Sequence, residues 1–83
     1  MSENPIMGTI CLFPYDFELR GWNYCDGKLL AVSQNPALAT LLGTKFGGDG
    51  IANFQLPNLN DNPNLPYGMK YQICIHGAFP SRE

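Results

Sequence analysis

One histidine, three cysteines and a scatter of carboxylates are the residues of this chain that could bind a metal, attack a carbonyl or move a proton. His76 is the sole histidine, which excludes the two- and three-histidine metal sites. Cys11, Cys25 and Cys74 are too widely spaced for a zinc knuckle or a CxxC redox pair, and three thiols cannot all pair within one chain. Two readings stay open for them: buried thiols acting as small hydrophobes, or an intermolecular disulfide. A nucleophilic pair of His76 with a cysteine would need a helix N-terminus or an orienting carboxylate to lower the thiol pKa, and neither adjoins any cysteine. Asp16, Glu18, Asp26, Asp49 and Asp61 are separated by turns and lack the alternating oxygens and closing glutamate of a calcium loop. Gly47-Gly48-Asp49-Gly50 lacks the Lys-Ser/Thr of a phosphate loop, and reads instead as a tight crossover whose Asp49 bonds neighbouring backbone N–H groups. No catalytic residue, metal ligand or cofactor-binding residue is therefore assigned, and the chain does not read as an enzyme.

Other polar and aromatic chemistry is weaker but present. Tyr15, Tyr24 and Tyr67, with Trp22, are candidate stacking surfaces for a sugar, although a hairpin tryptophan more often belongs to the core. The net charge of −2 with only five basic residues excludes a nucleic-acid surface, which needs clustered Lys and Arg. The start Met1-Ser2-Glu3-Asn4-Pro5 has no basic region followed by an apolar run, and no stretch of about 18 apolar residues could span a bilayer. No secretion signal of the usual kind and no membrane insertion are the expectations.

The elements that must hold these residues are short. Gly8–Phe13 predicts a strand stopped by Pro14, and a turn runs through Tyr15 to Arg20. Trp22–Cys25 and Lys28–Ala31 flank Asp26-Gly27, which predicts a two-residue hairpin. Asn35, Pro36 and Gly43 bracket a short helix over residues 35–42, whose Leu38, Leu41 and Leu42 share one face. Thr44 to Pro66 is irregular apart from a few residues around Asn53–Leu56, and Pro57 follows as a turn residue. Gly68–Gly77 alternates, with Met69, Tyr71, Ile73 and Ile75 on one face and Lys70, Gln72, Cys74 and His76 on the other, and Ala78–Arg82 forms an extended tail. The expected fold is α+β and mainly β: a single domain over residues 1–83 with short strands, one helix and long loops rich in Gly, Asn and Pro. Trp22, Leu38, Leu41, Leu42, Phe54 and Leu56 are its expected core anchors. Asp26, Gly27, Gly47, Gly48, Asp49, Gly50 and Pro57 define its turns.

A chain of 83 residues buries only about 60–65% of its unfolded surface, so its core is thin and calls for a disulfide, a metal or a partner. With the first two unsupported, the alternating face of Met69, Tyr71, Ile73 and Ile75, together with Ile10 and Leu12, is the expected oligomer interface.

The series Gly21-Trp22-x-x-Cys25-Asp26-Gly27-x-x-Leu30, Asn35-x-x-Leu38-x-x-Leu41-Leu42-Gly43-Thr44-x-Phe46-Gly47-Gly48-Asp49-Gly50 and Phe54-x-Leu56-Pro57-x-Leu59 closely resembles the phage tail collar domain, shared with the microcystin-dependent protein family. Ile73-x-Ile75-x-Gly77-x-Phe79-Pro80-Ser81-Arg82 is similar to the C-terminal end of longer members. The resemblance implies a homotrimeric structural module of a phage tail fibre or a related extracellular particle, contacting other tail or particle proteins. In that family the Leu-Pro-x-Leu stretch commonly leads into a long Gly- and His-rich insertion that carries adhesion. Here Leu59 is followed by Asn60-Asp61-Asn62-Pro63-Asn64-Leu65-Pro66 and then the last strand, so the chain resembles a minimal collar lacking the receptor-binding insertion. Two functions follow: a self-assembling subunit that joins or caps particle components, or a small lectin-like module that binds a cell-surface glycan or receptor.

Overall fold

The computed structural model describes residues 5–80. The residues read above as an N-terminus without a signal, and the last residues of the extended tail, fall at 1–4 and 81–83, outside the described residues. The fold is mainly β, with strands in two antiparallel sheets and a single short helix among the described residues. Strand β1 (Ile10–Phe13) is β-branched and aromatic and ends where Pro14 cannot continue the ladder. It pairs with β5 (Lys70–Cys74), whose other edge carries β2 (Trp22–Tyr24), so β5 is the centre of a sheet ordered β1-β5-β2. Strands β3 (Leu29–Ala31) and β4 (Asn53–Gln55) form the second sheet, with Leu30 opposite Phe54.

The predicted hairpin at Asp26-Gly27 is absent. Its two arms belong to different sheets: β2 pairs with β5, and β3 pairs with β4. A two-residue hairpin of the favoured type needs positive φ at both central positions, and here only Gly27 has it, at +82°. Asp26 instead accepts the Lys28 backbone N–H at 3.1 Å, and it bridges to Asn58. The dipeptide steers the chain from one sheet into the other. Leu59 and Asn60 then donate to the Cys25 carbonyl, at 2.9 and 3.1 Å, which ties the irregular crossing to the same corner.

Directly paired residues share a face of an antiparallel sheet. On one face of the first sheet lie Ile10, Leu12, Tyr71 and Ile73, and on the other Cys11, Phe13, Trp22, Tyr24, Lys70, Gln72 and Cys74. In β5 the second set holds two fully covered residues. Gln72 and Cys74 have no exposure, and the loop from Pro14 to Gly21 is clipped over Gln72. The Gln72 amide accepts from Leu19 N–H at 3.0 Å and donates to the Phe17 carbonyl at 2.9 Å, satisfying a buried polar side chain at both ends. Alternation had correctly marked two faces of β5, but a loop rather than solvent meets the second.

Helix α1 (Pro36–Leu42) begins with proline at its first turn and stops at Gly43, whose φ is +52°. Asn35 occupies the position before the helix without capping it, since its side chain donates to the Ala31 carbonyl at 3.4 Å. So short a helix is held by docking rather than propensity. Leu38 enters a core of Cys25, Phe54, Leu56 and Ile73, while Leu42 packs half-buried against it and Leu41 lies half-buried. Full burial of one such side chain contributes about 1.5–3 kcal/mol.

Candidate functional site

Three groups of residues carry the surface chemistry of this fold. The first is the Gly47–Gly50 crossover. One Asp49 carboxylate oxygen accepts the backbone N–H groups of Ile51, Ala52 and Asn53 at 2.8, 2.9 and 3.1 Å. These bonds hold the exposed carboxyl below its usual pKa, because each favours the ionised form. Gly48 lets the loop close: a Cβ there would stand 2.6 Å from the Phe54 Cα, on a backbone already at φ +86°. A Cβ at Gly47 or Gly50 would likewise run into Gln55 or Thr44, and Pro57 is buried. The loop is a backbone lock, and its acceptor is engaged by its own chain.

The second group is an aromatic stack that starts in the interior and ends in solvent. Trp22, 8% exposed, meets Phe13 edge-on with ring centroids 5.2 Å apart. Phe13 stacks on Tyr15 at 5.7 Å and Tyr15 on Phe17 at 5.5 Å, in both cases nearly parallel. Tyr15 is thus flanked by two rings while it stays 41% exposed. The open ring is Phe17, 59% exposed, which the tyrosine-based reading passed over. Its signal was the spacing of Phe13, Tyr15 and Phe17 at every second position of an extended chain, obscured by the intervening Pro14.

The third group is a cleft of about 240 Å³ lined by Asp16, Tyr24, Asp26, Asn60 and Lys70. Of the candidate stacking residues only Tyr24 enters it. Tyr67 lies elsewhere, fully exposed at φ 54° and ψ 25°, in a turn closed by the Met69 N–H on the Pro66 carbonyl at 2.9 Å. With Gly68 at φ +70° this is a turn of the type that ordinarily takes Asn-Gly.

The expected interface residues do not form one exposed face. Ile10 is 37% exposed on β1, an edge strand among the described residues. Leu12, Met69, Tyr71 and Ile75 are half-buried. Ile73 has no exposure and touches the core, so the chain itself already covers it and no surface remains there for a partner.

Two of the three cysteines are buried thiols. Burial, reinforced by the neighbouring Asp26 carboxylate, pushes the Cys25 thiol up to about 12. Burial also raises the Cys74 thiol, which donates to the His76 carbonyl at 3.4 Å. Neither Cys25 nor Cys74 is in a disulfide, and His76 is exposed. Among the described residues, no three His, Cys, Asp or Glu side chains gather to hold a metal ion, and no helix is long and apolar enough to cross a membrane.

Comparison with curated proteins returns no match. Comparison with family models returns the phage tail collar domain over residues 8–63. That span contains β1 to β4, α1, the Asp26-Gly27 crossover and the Asp49 lock, so the features that define the corner between the two sheets are those the family model covers. By this match across more than half its length, the chain belongs to the phage tail collar domain family, a structural family of phage tails.

Proposed function

We propose that this chain, folded as one unit, is a self-associating structural subunit of a phage tail fibre or tail-derived particle, assembled as a trimer that joins or caps other tail components. The family match over residues 8–63 carries the proposal. Surface chemistry supports it. Ile10 at 37%, Leu29 at 56%, Phe17 at 59% and Ile51 at 83% leave more large apolar surface in water than a thin core readily tolerates. Among the described residues, β1 is an edge strand of its sheet, with Ile10 on it. The interface then comprises Ile10 and Leu12, with Met69, Tyr71 and Ile75 at its margin. Ile73 takes no part.

Light scattering at micromolar concentration tests this. The parent is expected at three times the 9.2 kDa chain mass, and Ile10→Lys is expected to lower both that mass and the melting temperature while leaving a cooperative transition. Lysine on a strand edge opposes edge pairing without entering the core. A folded 9.2 kDa parent would refute the trimer, and an unchanged trimer in a folded Ile10→Lys variant would remove the β1 edge from the interface.

A further inference from the structure

The cleft between the loop after β1, the end of β2 and the start of β5 has walls fixed by backbone bonds and polar groups left over for something else. Asn60 is a wall: its amide donates to the Tyr71 carbonyl at 3.0 Å and accepts the Tyr71 N–H at 2.6 Å, which consumes both ends. Glu18 anchors Tyr24 by accepting its N–H at 2.7 Å, and pairs with Lys28 at 3.4 Å, so neither of these charges turns into the cleft. Asp26 commits one oxygen to the Lys28 N–H and keeps the other. Among the described residues, no hydrogen bond or ion pair ties Asp16 or the Lys70 ammonium, and no ring stacks on Tyr24.

Those four groups define the ligand class. The ammonium and the absence of a three-ligand cluster among the described residues disfavour a metal ion, while two carboxylates against one ammonium disfavour an anion. A neutral hydroxyl suits both, since it donates to a carboxylate while accepting from an ammonium. An unstacked tyrosine ring offers a flat apolar face to the C–H side of a saturated ring. A volume of about 240 Å³ is below the roughly 300–1,000 Å³ of clefts that take drug-sized ligands, and has room for one small ring. We propose that this cleft binds a single neutral sugar ring, with Tyr24 beneath it, Asp16 and Asp26 accepting from its hydroxyls and Lys70 donating to them. The proposal does not depend on self-association, and its test reads ligand contact rather than mass.

Saturation-transfer NMR with methyl hexopyranosides, glucuronate and free lysine as probes decides it, using Asp16→Ala, Lys70→Gln and Tyr24→Ala beside the parent. Expected is transfer to the C–H protons of at least one neutral hexoside. The signal should be lost in Tyr24→Ala and affinity at least roughly tenfold weaker in the two charge variants, whose exposed or half-buried side chains keep the parental melt. No transfer to any neutral hexoside at concentrations on the order of 10 mM would overturn the proposal. So would glucuronate or lysine binding as well as the hexosides, or an unchanged hexoside signal in folded Asp16→Ala and Lys70→Gln.

Discussion

Replacing Gln72 with leucine keeps the volume at the centre of β5 nearly constant and removes two hydrogen bonds. The Leu19 N–H and the Phe17 carbonyl lose the partners they now have at 3.0 and 2.9 Å. An orphaned buried backbone group costs about 1–3 kcal/mol. Two would cost about 2–6, but Leu19 is half-buried and Phe17 exposed, so water can reach part of the broken contact. Leucine also gains apolar burial at a position with no exposure. The balance is a loss of about 2 kcal/mol. Against a total of roughly 4–12 kcal/mol for a chain of this length, that is a large fraction, and at about 4–8 °C per kcal/mol it lowers the melting temperature by about 8–16 °C. Thermal melts at one fixed protein concentration, followed by Trp22 fluorescence, measure it. Amide exchange at Leu19 separates the clip from general loosening, because protection there should vanish first. Gln72→Glu makes the same point through pH. Its buried carboxyl accepts from Leu19 but cannot donate to Phe17 when ionised, and burial raises its pKa. The deficit against the parent should therefore widen as pH rises above the ordinary glutamate value of about 4.3 and narrow below it. A Gln72→Leu shift under about 2 °C, or a Gln72→Glu variant that fares better at neutral than at acidic pH, would refute the idea that this amide holds the loop.

Gly48→Ala should damage folding, by about 1–3 kcal/mol, because its Cβ meets the Phe54 backbone; Asp49→Asn keeps an acceptor for the three N–H groups and should melt near the parent at neutral pH. Melts of the parent and Asp49→Asn repeated in acid test the Asp49 charge: with its folded pKa lowered, its contribution is complete above the ordinary value of 3.8 and fades as pH falls through the folded one, so any small advantage of the parent at neutral pH should vanish in acid. Cys25, pushed up to about 12, should resist thiol reagents at pH values where free thiols react and be modified only on unfolding, as mass spectrometry of the labelled chain would show; rapid native labelling at Cys25 would contradict its burial. Tyr67→Asn should stabilise by about 1 kcal/mol, since the turn at φ 54° favours asparagine, and a lower melting temperature would mean that the tyrosine ring makes a contact unseen in the single chain.

Punctuation residues announced much of this fold. Pro14 ends β1, while Pro36 and Gly43 delimit α1, because each acts through its own φ and needs no knowledge of distant neighbours. Pairing was less accessible. Asp26-Gly27 serves a hairpin or a crossover equally well from its own sequence, and only the partners chosen by β2 and β3 decide between them. The same limit applies to Gln72 and Ile73. Alternation assigns them to opposite faces, but whether a face meets water, a loop or a second chain depends on segments over 50 positions away, such as the Leu19 that meets Gln72 across 53. In the cleft, Tyr24 was visible as an aromatic candidate, whereas Asp16, Asn60 and Lys70 come together only because β5 lies between β1 and β2.

That central placement of β5 also sets an order of events during synthesis. Domains emerge N-terminus first, so β1 and β2 are made long before the strand that fits between them. The β3-β4 sheet and α1 use nearby partners and can form at once, while the first sheet must wait and then close loops spanning most of the chain. Chains halted before Lys70 should therefore remain sensitive to limited proteolysis, with a slot one strand wide between β1 and β2. Any second copy that reaches the slot carries the same β5, in the same register, and strand exchange between neighbouring copies becomes a route by which crowded nascent chains could interlock before each has closed on itself.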